Sequence, residues 1–345
     1  MTASGLGWIA RPRIAPTPRR TLYREGSASL LHFAPSRRAA PEACLRPTGA
    51  GRAATTPVLL VPSLINRWYV LDLRPGASLV EVLVSAGLDV YLLDWGVPGD
   101  EDRYLTWDDV LDRLARAVRR TRRAARAERV SLLGYCMGGT LAAIQAALEP
   151  DRVAALIDLL GPIDFAHGGA LRRMVDPRWF DADAVAAAGN VSPYQMQAGF
   201  AALRPTLDLG KLVGLVDLAR ADPAAREAFA ALETWARDNI PFPAAAYRTY
   251  LRELYQDNAL AAGRHHALGR TVDLADIRCP VMTIVADRDT ICPPAAALAL
   301  SDLVSSKQRD VLAVPGGHVG AVVGRGAKAS VHAPLAQWLI DASES

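Results

Sequence analysis

Gly134-Tyr135-Cys136-Met137-Gly138 sets a cysteine between two glycines, each two positions away. An apolar run, Val130 to Leu133, precedes it and a small-residue helical pattern over 138–148 follows. The cysteine therefore falls where a strand turns sharply into a helix. Backbone crowding at such a turn leaves no room for side chains two positions before and after a nucleophile, and glycine meets that demand. At a helix N-terminus, free amides and the helix dipole favour a thiolate. The Met137 amide can face a developing oxyanion there. This turn usually presents serine, and a cysteine moves the chemistry toward thioester exchange.

An acid and a base must come from later strand ends, in that chain order. Asp289 follows the strand-like run 281–286, and His318 follows 311–314 in the loop Pro315-Gly316-Gly317-His318. His318 would deprotonate Cys136 or an incoming hydroxyl, and Asp289 would fix its tautomer and stabilise the imidazolium. Asp287 competes with Asp289, which is favoured on loop position, and either could cap the following helix. His332 lies in a predicted helix, facing solvent or packing. His265 and His266 are expected to be two hydrated side chains, His167 a surface residue near the site, and Asp94 a turn former. A buried cysteine packed among glycines is the plain alternative for Cys136.

These residues need a scaffold that puts strand ends side by side. Strands are predicted at 58–61, 88–94, 130–133, 153–157, 281–286 and 310–314, alternating with helices at 78–87, 107–127, 138–148, 293–304 and 331–341. Such alternation implies an α/β domain built of crossover units, with a mostly parallel sheet and helices on both faces. The rhythm stops over 164–270, read as a helical cap inserted between the core segments 56–163 and 271–345. Residues 1–55, rich in proline and arginine, read as an irregular extension.

Among the 345 residues, 51% are hydrophobic and 22% charged, as suits a folded globular chain. The net charge of +3 gives no argument for nucleic acid. Nearly all the basic groups are arginines. A cluster over 113–129 lies on a helix whose apolar positions recur at helical spacing, so its arginines are expected to face solvent, with an anionic docking surface as the alternative. The cysteines, Cys44, Cys136, Cys279 and Cys292, form no CxxC pair, which speaks against a zinc site and a disulfide framework and for a reduced, intracellular protein. The N-terminus has no run suited to a signal peptide. Residues 130–148 carry no charge, yet the glycines within them mark a buried strand–turn–helix instead of a membrane span.

Over nearly everything after residue 56 the sequence resembles the polyhydroxyalkanoate synthases, particularly the short catalytic subunits of the two-component (class III-like) types. The motifs are INRWYVLDLRPGASLVEVLVSAGLDVYLLDWGVP (65–98), GYCMGGT (134–140), GPIDF (161–165), WARDNIPFPAAAY (235–247), LYQDNAL (254–260), VDLADIRCPVMTIVADRDTICPP (272–294), LVSSK (303–307) and PGGHVG (315–320). A typical hydrolase shares only the nucleophile turn and the triad order. The resemblance implies an α/β-hydrolase fold and an acyltransferase that polymerises (R)-3-hydroxyacyl-CoA, with Cys136, Asp289 and His318 as nucleophile, acid and base. Beside the Met137 amide it implies a second oxyanion donor near Pro62–Leu64, at Ser63. CoA would be the leaving group, with no resident cofactor or metal. His318 would activate first the thiol and then the 3-hydroxyl, with Asp289 helping that second task. The resemblance also implies the cytoplasm and the polyester granule surface as location, and a helper subunit and a second copy as partners. The rival readings are a thioesterase or polymer depolymerase, in which water replaces the hydroxyl, and a non-catalytic granule-bound protein.

Overall fold

A computed structural model describes residues 12–35, 56–202 and 222–344. Its centre is an eight-stranded sheet: β1 (Arg20–Glu25), β2 (Ala28–Phe33), β3 (Val58–Val61), β4 (Val90–Asp94), β5 (Val130–Tyr135), β6 (Val153–Leu159), β7 (Val281–Ala286) and β8 (Arg309–Val314). Their spatial order is β1-β2-β4-β3-β5-β6-β7-β8. The pairs from β4 to β8 run parallel, while β1–β2 and β2–β4 are antiparallel. After β3 the chain goes first to one side, as β4, and then to the other, as β5. This reversal opens a crevice beyond the carboxyl ends of β3 and β5, where open α/β sheets bind ligands.

Strands β3 to β7 are buried on both faces, and successive side chains sort into two cores. Leu59 and Val61 of β3 join one core, while Val58 and Leu60 join the other. Helices α2 (Trp107–Ala125) and α3 (Met137–Leu148) pack in the first core, and α1 (Leu79–Ser85) and the C-terminal α11 (Ala333–Glu344) in the second. Every residue of α3 is buried, so the uncharged stretch 130–148 is a strand, a turn and a core helix. No helix of the described residues is long and apolar enough to cross a membrane.

Two expectations need correction. Residues 20–33, expected within an irregular extension, form the β1–β2 hairpin and extend the sheet beside β4. Arginines obscured the pattern because they serve as edge and clamp residues. Glu25 of β1 accepts a hydrogen bond from Arg116 of α2 (2.8 Å), and Arg120 stacks over the Tyr23 ring at 4.5 Å. Part of the arginine helix thus holds the hairpin, while Arg119, Arg123, Arg126 and Arg129 are exposed. His265, expected to be hydrated, is fully buried, with Nδ1 2.8 Å from Glu253 Oε2. His266 is exposed as expected.

Between β6 and β7 the described chain supplies α4 (Gly169–Met174), α5 (Ala182–Ala187), α6 (Pro193–Ala202), α7 (Pro223–Arg237) and α8 (Ala244–Thr249), the last continuing into a wide turn over Tyr250–Gln256. Polar contacts hold these elements to the core. Trp235 Nε1 donates to Arg67 O (2.9 Å), Tyr69 OH to Asp238 (2.6 Å) and Asn190 Nδ2 to Gly99 O (2.7 Å). Val191 and Phe242 exchange both backbone hydrogen bonds at 2.9 Å, which ties the start of α6 to that of α8. The segments 1–11, 36–55 and 203–221, including Cys44, lie outside the described residues. Helices α9 (Pro294–Leu303) and α10 (Gly320–Val323) complete the core.

Candidate active site

Cys136 is the residue between β5 and α3, with φ +57° and ψ −128°. Few side-chain-bearing residues adopt that conformation, and its strain is held in place by the turn. A Cβ on Gly134 would stand 2.1 Å from Gly138 O, and one on Gly138 would stand 1.8 Å from Val61 O. These two contacts are with backbone, so the elbow closes only with glycine at both positions. Met137 starts α3, and Ser63, just beyond β3, is buried with its hydroxyl unpartnered.

Asp289 lies in the loop after β7 and His318 in the loop after β8, both nearly enclosed. Asp289 Oδ1 accepts the amides of Ile291 (2.8 Å) and Cys292 (2.9 Å). Its Oδ2 takes the Nδ1 of His318 at 2.7 Å. With the carboxylate fixed by two amides and the ring packed against Tyr135 at 5.4 Å between centroids, the imidazole has one orientation. Its Nε2 is buried without a regular hydrogen bond and interacts with Cys136. Burial opposes a charged ring, yet the negative sulfur of a Cys136 thiolate and the Asp289 carboxylate outweigh it, and His318 is pushed up to about 10. Such an arrangement can hold a thiolate–imidazolium pair and pass a proton to or from Nε2.

The other candidates lie elsewhere. Asp287 accepts the Gly316 amide (2.7 Å), tying the two loops together with its side chain largely exposed. His332 is buried against Val322 O (2.8 Å), and burial lowers it to about 4. His167 is exposed and pairs with Asp164, and Asp94 closes a turn by accepting the Gly96 amide.

Sequence reasoning missed several groups around Cys136. Asp158 of β6 is fully buried, accepts the Gly161 amide (2.9 Å) with one oxygen and leaves the other unpartnered. Burial pushes it well above the ordinary carboxylate range. Cys292, a second thiol in the same cavity, is driven up by burial in the same way. Tyr250 and Tyr255 bring phenols into an otherwise apolar wall. The motifs at 161–165, 235–247, 254–260 and 272–294 each place a residue in this region. A buried acid in an apolar run such as Ala154-Ala155-Leu156-Ile157-Asp158 was the available signal.

A cavity of about 250 Å³ opens over Cys136. Its floor is Cys136, Met137 and Pro162, its side Phe242, Tyr250 and Tyr255, and its roof residues of α4 to α6 such as Met174, Met196 and Gly199. Gln195 is the sole lining residue with an amide side chain. Among the described residues no group of three or more His, Cys, Asp or Glu could hold a metal ion.

A family model described as the alpha/beta hydrolase fold matches residues 56–324. Among relatives, the sequence is 35% identical over 94% of its length to the poly(3-hydroxyalkanoate) polymerase subunit PhaC of Allochromatium vinosum, spanning 88% of that protein. The chain belongs to the poly(3-hydroxyalkanoate) polymerase family. The subunit of the same name from Synechocystis is 33% identical over 94% of the chain and 84% of its own length. The one from Haloferax mediterranei is 32% identical over 98% of the chain, which spans 66% of that longer relative. Solved structures show the fold alone. An esterase from Thermogutta terrifontis has a TM-score of 0.52 at 17% identity, covering 94% of this chain and 99% of its own. A hydrolase from Pseudomonas aeruginosa has a TM-score of 0.53 at 18% identity, covering 93% and 98%. The α/β-hydrolase fold that the resemblance implied is the fold observed.

Proposed function

We propose that this polymerase-family chain is an acyltransferase that polymerises (R)-3-hydroxyacyl groups from their CoA thioesters through a thioester on Cys136. The supporting observation is one cysteine at a strained elbow, roofed by an apolar cavity and served by a buried Asp289–His318 pair. The Cys136 thiolate attacks the substrate carbonyl, with the amides of Met137 and Ser63 as oxyanion donors. The carbon–sulfur bond to CoA breaks, and the protonated His318 gives its Nε2 proton to the departing CoA thiolate. Neutral His318 then takes the proton of a 3-hydroxyl, whose oxygen attacks the Cys136 thioester. An ester forms and the Cys136 thiolate leaves, again paired with imidazolium. Asp289 holds the ring in the tautomer that keeps Nε2 free in the neutral state. On this reading the chain needs no resident cofactor, works in the cytoplasm at the granule surface, and has a helper subunit and a second copy as partners.

The test is CoA release from (R)-3-hydroxybutyryl-CoA by the purified chain, with product mass measured in the same reaction and Cys136→Ala in parallel. High-mass polyester and CoA, both lost in the variant, are expected. Free hydroxy acid would instead make the chain a thioesterase.

A further inference from the structure

The roof of the cavity contains a residue with no conformational reason to be what it is. Gly199 lies within α6, where glycine weakens a helix by the backbone freedom it must give up. Its φ is not positive, and a Cβ placed on it would meet only Met174 Cε, at 3.7 Å, an ordinary contact. Neither a turn nor a close approach of backbone calls for glycine there. What its bare backbone does provide is space, because Gly199 and Met174 both line the cavity above Cys136.

We infer that Gly199 sets the length of the acyl chain that the cavity admits, with Met174 as the adjustable wall beside it. The inference rests on Cys136 as the acyl carrier and adds to that reading the residue that determines specificity. A cavity of 250 Å³ is small enough for one methyl group on its wall to take room that a longer acyl chain needs and a shorter one does not.

Gly199→Ala adds that methyl and favours the helix. The variant should lower kcat/KM for (R)-3-hydroxyhexanoyl-CoA about tenfold or more relative to that for the hydroxybutyryl thioester. Met174→Ala should shift preference the other way. A second readout does not depend on polymerisation. Alkyl methanethiosulfonates of graded length react with the Cys136 thiolate, forming a disulfide bond and releasing methanesulfinate, and the rate is read from the mass of the Cys136 peptide. Gly199→Ala should slow the longer reagents selectively. Equal slowing at all lengths, or none, would overturn the inference. CoA release without a length effect of Gly199→Ala would leave the polymerase reading standing and remove the gate. Graded thiolation without CoA release from any thioester would do the reverse.

Discussion

His318 is held by two opposed influences, and their balance gives the site its chemistry. Burial strips water from the ring and disfavours its charge, while the Cys136 thiolate and Asp289 favour it. The folded value of about 10 lies above the ordinary 6.5, so folding strengthens proton binding. The stabilisation that results is complete below about 6.5 and is lost as pH rises through about 10. Because Cys136 makes the larger favourable contribution, removing the sulfur should release the proton earlier. NMR titration of the His318 ring is expected to show it protonated to beyond pH 8 in the parent chain and to titrate at lower pH in Cys136→Ala. Identical curves would mean that the sulfur and the ring do not form a pair. Part of this residue chemistry was legible in sequence: a cysteine between spaced glycines, and a strand-end acid and histidine in the right order. Asp289 was favoured over Asp287 on loop position alone, which carries no record of where either side chain points. Two residues apart in one loop, they differ only in where the folded loop aims them, one at the Gly316 amide and the other at His318.

At the scale of elements, the elbow joins β5, α3 and the end of β3. Gly138 lets the first turn of α3 approach Val61 so closely that a methyl would lie 1.8 Å from its carbonyl oxygen. Backbone on both sides cannot yield as a side-chain tip would. Gly138→Ala is therefore expected to cost more than about 3 kcal/mol, seen as a large fall in Tm or loss of soluble protein. Gly326 has open space around its Cβ position and a φ that any residue can adopt, so Gly326→Ala should stay within about 0.5 kcal/mol. Equal melting of the two variants would show that the elbow is not so tightly packed. Strands and helices of the core were readable because their apolar periods are strong. The β1–β2 hairpin was hidden because arginines at a sheet edge read as a solvated tail, although in the fold Arg116 and Arg120 of α2 reach across to bond its Glu25 and stack on its Tyr23.

For the molecule as a whole, stability in acid has an identifiable contributor outside the site. His332 begins the approach to α11, is enclosed in the second core and donates Nε2–H to Val322 O at 2.8 Å, while its Nδ1 is buried without a partner. Burial holds it at about 4, so the unfolded chain binds its proton more readily. Its contribution is fully present above about 6.5 and is lost as pH falls to about 4, flattening below that. At about 1.4 kcal/mol per unit, this amounts to roughly 3 kcal/mol. Denaturant unfolding from pH 7 to pH 4 should show that decline in the parent chain. His332→Leu should be less stable at pH 7 yet lose less on acidification, and parallel declines would refute the assignment.

By itself the sequence determined the α/β alternation, the glycine-spaced turn at Cys136, the strand-end positions of Asp289 and His318, and enough motifs to place the family. These are local signals, carried by periodicity, by spacing and by residue type. Only the tertiary structure decided which acid meets the histidine, that Arg20–Glu25 and Ala28–Phe33 extend the sheet, that His265 is buried, and that Gly199 leaves room over Cys136. Each of those depends on which surfaces face each other across long separations in the chain, and a period of two or 3.6 residues carries no record of a neighbour fifty or a hundred positions away.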